Sequence, residues 1–378
     1  MSASTPAGLL RWAEVDIDAL AGNARLIHAL VQPAQVMAMV KSNGYGHGLE
    51  IAARAALDGG ATWLGVYTPQ EALALRGAGV DARTLVLGWS PPSTHADLVT
   101  AGVDVTVFDV ETVQSLAAAA GVAGVTARAH VKIDTGLHRL GALPEAVDSL
   151  AAALRAASRH VDVAGLFTHF ADAGLDPEFT HEQHARFLEA VDVIRPVARE
   201  ALLHTSGSAA VIAHPSMHLD LVRVGIAFYG YPPVPTPAPL RLGMHVFARV
   251  AQLRTVPKGE SVGYGRTWWA GAPARIATVA IGYGQGLPRL LSSRGHMAIR
   301  GRRCPIVGRV SMDQVTIDVT DVDGVNVGDP AMFIGERDGV RLGADEVGDL
   351  AGTQSYEILC GIADGMPRLP GVAPAALP

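Results

Sequence analysis

The sequence predicts an α/β protein: a (β/α)8, TIM-like barrel followed by a mostly β C-terminal domain. Three observations predict it. Eight short β-like apolar runs recur between Val36 and Tyr229; Ala/Leu-rich stretches at helical spacing follow most of them; and beyond the proline-rich piece YGYPPVPTPAPL the helical periodicity nearly disappears.

The eight runs, in order, are VMAMV, WLGVY, TLVLG, VTVF, AHVKI, VAGLFTHF, ALLHTS and LVRVGIAFYG. Between them lie helical stretches such as PQEALALRGAG, ETVQSLAAAA and PEAVDSLAAALRAA, with Pro69 and Pro144 where a first-turn proline is tolerated. Parallel strands need crossovers, and eight strand-plus-helix units fit a closed barrel better than an open sheet. The runs HVFARVAQL, ARIATVAIGYG, CPIVGRVSMDQVTIDV and DPAMFIG are β-branched and cut by Gly, Pro and Asp turns. Residues 1–240 are therefore expected to form the barrel with an extra N-terminal strand, and 241–378 the β domain. That extra strand, Trp12–Ile17, could equally join the second domain's sheet.

With 378 residues, 49% hydrophobic, mean hydropathy +0.25 and net charge −6, the chain can bury a sizeable core. It carries no basic run for nucleic acid, no apolar stretch long enough for a membrane and no signal-peptide pattern at its start. Cys304 and Cys360 give neither a disulfide framework nor metal-ligand spacing. The expectation is a soluble cytoplasmic protein with no metal, no nucleic-acid partner and no membrane partner.

In a barrel, chemistry gathers at the C-terminal strand ends. The first strand ends at Lys41, the fifth gives Lys132 and Asp134 with Arg139 shortly after, the sixth ends at His169, the seventh at His204, and the eighth carries Arg223. A lone ammonium beside apolar residues is costly unless something uses it. The Ser206, Gly207 and Ser208 of HTSGSAA, and the amides of Gly225 and Ile226, suit a phosphate. A barrel lysine with a phosphate site suggests pyridoxal 5'-phosphate held as a Schiff base on Lys41.

From about Trp12 to Arg368 the chain resembles the alanine racemase family. MVKSNGYGHG is similar to the family's lysine segment, and VKIDTGLHRLG, LFTHF, LVRVGIAFYG, VGYGRTW, IGYGQGLPR, PIVGRVSMDQ and YEILC resemble further blocks in the same order. The resemblance implies that Lys41 and Tyr264 are two catalytic bases on opposite faces of the cofactor. Racemisation needs both, because a proton leaves one face and another returns to the opposite one. His169 resembles the histidine near that tyrosine. Arg223, supported by His204, resembles the residue facing the pyridine nitrogen; an arginine does not readily surrender its proton.

The resemblance further implies Tyr45, Ser208, Gly225, Ile226 and Tyr356 as phosphate ligands. Arg139 would lie near the cofactor's phenolic oxygen and the substrate carboxylate, and Met312 would offer that carboxylate a backbone contact. Lys132 resembles a lysine often carbamylated in the family; the plainer reading is an ammonium paired with Asp134. The implied assembly is a homodimer with shared sites, and the implied activity the interconversion of L- and D-alanine for peptidoglycan. Departures from the family pattern fall at Gly207, Gln285 and Leu287 and bear on entry and substrate preference. Competing readings are a racemase of serine or of a broader range, a non-catalytic pyridoxal-phosphate-binding barrel, and a barrel-type decarboxylase, which would carry an acidic residue in place of Arg223.

Overall fold

Strands joined in parallel cannot turn back tightly, so each needs a crossover that also covers the sheet. In the computed structural model, which describes Pro6 and residues 8–371, the strands are β1 Arg11–Asp16, β2 Gln35–Met39, β3 Trp63–Val66, β4 Arg83–Val86, β5 Asp104–Val107, β6 Ala127–Lys132, β7 Val161–Phe167, β8 Leu202–His204 and β9 Leu221–Val224. Between β2 and β9 the crossover helices are Leu49–Asp58, Pro69–Gly77, His95–Thr100, Val110–Ala123, Val147–Ala156, Pro177–Ile194 and Ser208–Ala213. Their starts are written locally. Thr68 and Glu71 form a capping box around Pro69, and Asp109 and Asp176 each accept a first-turn amide.

Eight strands pair in the order β8-β7-β6-β5-β4-β3-β2-β9, every neighbour parallel. No ladder joins β8 to β9. That seam is bridged by Asp220 N to Leu203 O at 3.0 Å and Arg223 N to Ser206 O at 2.9 Å, which close the ring. All eight expected runs are strands of this barrel.

The described chain divides into two units; 240/241 is one of the boundaries, and two stretches of the N-terminal part cluster with the second unit as well. The barrel unit comprises Leu20–Gly44 and Ala52–Leu240; the other takes the chain up to Ala19, then Tyr45–Ile51, then everything from Arg241. The reason is hydrogen bonding: β1 leaves the barrel's sequence range to pair with strands of the second unit.

That unit is mostly β: β10 Met244–Val256, β11 Ser261–Val262, β12 Trp268–Trp269, β13 Ala274–Val279, β14 His296–Ile299, β15 Arg302–Pro305, β16 Val315–Asp318, β17 Pro330–Arg337, β18 Val340–Leu342 and β19 Arg368–Gly371, with helices Ala344–Ala351 and Ser355–Cys360. The thirteen-residue β10 is its spine, antiparallel to β1, β13 and β17. β1 lies between β10 and the parallel β19. The register sets Trp12 opposite Phe247, and their rings stack at 5.6 Å over Ala298, Met332 and Leu342. The Arg249 guanidinium lies over the Trp12 ring at 5.3 Å.

Trp12 is fully buried, so Trp12→Ala is expected to cost about 3–5 kcal/mol, the usual range for a large aromatic lost from a core. Urea unfolding checks this as a fall in the transition midpoint, with Trp12→Phe losing much less.

Candidate active site

Lys41 follows β2, and the next four residues are all left-handed: Ser42, Asn43, Gly44 and Tyr45 have φ of 55, 52, 62 and 48°. Only Gly44 takes this conformation without cost, so the turn must be held. Gly44 N donates to Val40 O at 2.8 Å, and Ser42 N donates to the Glu71 carboxylate at 2.6 Å. Glu71 accepts the Tyr67 and Thr68 amides as well, so one carboxylate joins the Lys41 turn to the start of the next helix. The Lys41 ammonium lies 5.7 Å from the centre of the Tyr67 ring.

Lys132 is the buried last residue of β6. Burial, with the Arg223, Arg139 and Lys41 charges, pushes its amine down to about 8 against the pull of Asp134. No salt bridge joins Lys132 to Asp134 among the described residues. Asp134 Oδ1 instead accepts the Gly136 and His138 amides at 2.9 and 3.0 Å. Asp134 N and Ala142 N bond across the loop base, so the loop returns and carries Arg139 with it.

Arg223 is buried in β9 with both terminal nitrogens spent. Nη1 donates to His204 O at 2.7 Å and His204 Nδ1 at 3.1 Å. Nη2 donates to Thr168 O, Thr205 O and His169 Nδ1 at 2.7, 2.9 and 3.2 Å. Its Nε–H has no protein acceptor among the described residues. Burial lowers the guanidinium to about 9, so it is still a cation at neutral pH. Burial, then the nearby Arg223 charge, pushes His169 and His204 well below the ordinary histidine value.

Beside this cluster, Ser208 Oγ accepts Gly225 N at 3.0 Å and Ala227 N at 3.4 Å, leaving its own proton to donate outward. Ile226 is buried and its N–H meets no protein acceptor among the described residues. Ser206 does not join this set: its hydroxyl donates to Met217 O at 2.7 Å. The serine is therefore structural, a correction that sequence could not supply, because adjacent hydroxyls look alike until one finds a carbonyl.

In the second unit the Tyr45 and Tyr356 rings stand 6.1 Å apart. Burial, then the neighbouring Tyr356, raises Tyr45 above the usual phenol value, and burial lifts Tyr356 to about 12. Both therefore stay O–H donors. Gly46 lets this strand of chain pass closely, since a Cβ there would fall 2.2 Å from Leu359 O. Tyr264 stands on the turn between β11 and β12 and is 71% exposed, and Met312 is 57% exposed. Gln285 accepts Gly282 N and donates to Asp313 Oδ1, and Leu287 is fully buried core.

The structure thus gathers Lys41, Lys132, Arg139, His169, His204, Ser208, Arg223, Gly225 and Ile226 in the barrel unit, and Tyr45 with Tyr356 in the other. Glu71, Asp104 and His130 were not singled out by sequence. Their only signal is a charged or polar residue inside a strand or first helical turn. The barrel unit's donors fit pyridoxal phosphate: a serine hydroxyl and an orphaned amide for a phosphate, a lysine for the covalent link, and one unspent guanidinium N–H.

Residues 15–233 match the family model described as the alanine racemase N-terminal domain, and residues 243–370 that of the alanine racemase C-terminal domain. An alanine racemase of Symbiobacterium thermophilum is 41% identical over 366 residues, spanning 95% of this chain and 97% of that protein. The alanine racemase structure from Streptomyces coelicolor superposes with a TM-score of 0.91 at 36% identity, covering 96% and 98% of the two chains. The Bartonella henselae alanine racemase, solved with covalently bound pyridoxal phosphate, gives 0.85 at 26% identity over 96% and 99%.

Asp134→Ala removes the acceptor of two loop amides, each such bond contributing about 1 kcal/mol. Hydrogen exchange should quicken at Gly136 and His138 while the amides of β6 keep their protection.

Proposed function

The chain belongs to the alanine racemase family, and from that premise we propose that it interconverts L- and D-alanine with pyridoxal phosphate, using Lys41 and Tyr264 as its two proton-carrying groups. The observation that carries the reading is the donor set at the barrel strand ends. It offers one lysine after β2, hydroxyl and amide donors beside β9, and a guanidinium with Nε–H alone unspent. When bound, the cofactor supplies an electron sink that acidifies the Cα–H of an amino acid.

Lys41 holds the cofactor covalently and serves the Cα proton on one side. The Tyr264 hydroxyl serves the opposite side, and the two exchange the roles of acid and base between the forward and reverse directions. His169 is the residue assigned to assist Tyr264. Arg223 donates a hydrogen bond from Nε but keeps its proton. That restrains charge delocalisation and favours simple proton exchange over competing chemistry. Arg139 and the Met312 backbone position the substrate carboxylate. Tyr45, Ser208, Gly225, Ile226 and Tyr356 hold the phosphate. An acidic residue where Arg223 stands would have favoured a decarboxylase, and no such residue is present.

Lys132 is assigned as a carbamate. An amine lowered to about 8 is still mostly protonated at neutral pH but carries a far larger neutral fraction than an ordinary lysine; that neutral form adds to carbon dioxide with loss of a proton, and Arg223, Arg139 and Lys41 favour the resulting anion. Protein equilibrated with 13C-bicarbonate should show one carbamate carbon that Lys132→Ala removes. Absence of that signal would return Lys132 to a plain amine.

The assembly is a homodimer in which Tyr264 and Met312 of one protomer serve the site of the other, a two-fold arrangement that builds two equivalent composite sites. The D-alanine formed would supply peptidoglycan in the cytoplasm, a setting that rests on family analogy. Lys41→Ala and Tyr264→Phe homodimers should each lose about two to four orders of magnitude in kcat. Mixed equally under subunit exchange, they should recover about a quarter of the wild-type activity, since half the dimers regain one intact site. An active monomer, or proven heterodimers without recovery, would leave Tyr264 acting within its own chain.

A further inference from the structure

Behind Arg223 a line of buried polar side chains runs through the barrel interior, where apolar residues are the rule. It starts at Asp104, the first residue of β5, and passes through His130 in β6 and His204 at the end of β8; all three are fully buried. His130 Nε2 is 3.3 Å from Asp104 Oδ2, His130 Nδ1 is 2.9 Å from His204 Nε2, and His204 Nδ1 is 3.1 Å from Arg223 Nη1.

Proton counting gives this line a direction. Asp104 also accepts Arg83 Nη2 at 3.1 Å and Arg128 Nε at 2.7 Å. Burial alone would lift its carboxyl, but the His130 bond and the two guanidinium groups overcome that and hold it below the usual value. A carboxylate only accepts, so His130 Nε2 carries the proton. Burial pushes His130 down despite Asp104, which leaves it neutral with a bare Nδ1. His204 Nε2–H then donates to that nitrogen, and the bare Nδ1 of His204 accepts from Arg223. The reverse tautomer of His204 would set an N–H against the Arg223 N–H.

The backbone is shaped for this. The β6–β7 pairing shifts register between Ala129 and His130, opposite Gly165. A Cβ on Gly165 would fall 2.3 Å from His130 Nδ1, so glycine alone leaves room for the ring. Trp63 meets His130 edge-on at 5.3 Å, and Phe167 stacks on His204 at 4.8 Å.

We propose that Asp104 and His130 are positioning residues for the reaction: they hold His204 as its Nε2–H tautomer, which fixes the Arg223 guanidinium with Nε as its one free donor. This rests on the reading of Arg223 as the residue facing the cofactor's ring nitrogen. A network that served stability alone would not need one tautomer at each ring.

The test is 15N NMR of the cofactor-loaded enzyme labelled at histidine, with His130→Gln and His204→Gln assigning the two signals. Both rings should be neutral Nε2–H tautomers across the neutral pH range. Gly165→Ala displaces the His130 ring without altering charge, and Asp104→Asn replaces an acceptor-only carboxylate with an amide that can present either its oxygen or its NH2. Either should turn His204 into a mixture of tautomers and lower kcat about tenfold, with little change in KM. A protonated or Nδ1–H His204 in the wild type would overturn the proposal, and that measurement needs no variant to fold. So would variants whose kcat falls only in step with thermal stability while His204 keeps one tautomer. With the cofactor's ring nitrogen also labelled, Arg223→Met should move its resonance. An unmoved resonance would reject the role given to Arg223 and leave the histidine result to stand or fall by itself.

Discussion

A guanidinium buried without a carboxylate beside it is expensive, because desolvation of a charge must be matched by hydrogen bonds of good geometry. Arg223 meets that demand with three carbonyl oxygens, from Thr168, His204 and Thr205, and with two imidazole nitrogens. Those carbonyls lie just past β7 and at the end of β8. Their backbones must therefore stop pairing where they do and turn their oxygens inward. The same residue gives its own amide to Ser206 O across the seam that no ladder spans. Arg223 thus completes the ring with its main chain and ties β7, β8 and β9 together with its side chain. The group proposed to face the cofactor is also what a three-residue β8 needs in order to stay in register.

Charge near the strand ends follows the same logic. Burial, then the Arg223 and Arg139 charges, pushes His169 well below the ordinary histidine value and keeps it neutral. The nearby carboxylate that could offset them, Asp134, has Oδ1 committed to loop amides. Such a surrounding favours anionic groups, a phosphate and a substrate carboxylate among them, and disfavours an added cation. Selectivity of this kind comes from the sum of fixed charges and needs no dedicated contact.

Much of this was legible in the amino-acid order. Eight apolar runs mark eight barrel strands because both faces of a parallel sheet are buried, and polar residues at their ends stand out against that background. Other features were not legible, for physical reasons. The alternation in RWAEVD shows a strand but not its partners, which are more than two hundred residues away. KSNGYGHG shows a tight turn, yet glycine content cannot reveal that Ser42, Asn43 and Tyr45 share the left-handed conformation, since the bonds holding it come from Val40 and Glu71. Leu287 was expected to bear on an entry; its full burial places it in the core. Asp104 and His130 share their strands with other polar residues, Thr106 in one and Arg128 and Lys132 in the other, and the sequence carries no sign of what each faces.

The placing of Asp104 shows why a relay suits this site better than a direct ion pair. A carboxylate against Arg223 would offset its charge at short range and compete for the donors that now point elsewhere. On the role proposed for Arg223, it would also set a negative charge beside the cofactor's ring nitrogen. Two neutral imidazoles between them avoid both effects. Each passes on orientation, because donating at one nitrogen requires accepting at the other, while the separation weakens the field of the carboxylate. Asp104 has its own cations, Arg83 and Arg128, at the opposite ends of the strands. The barrel interior can therefore fix the direction of a hydrogen bond at the site while leaving the guanidinium's positive charge largely undiminished there.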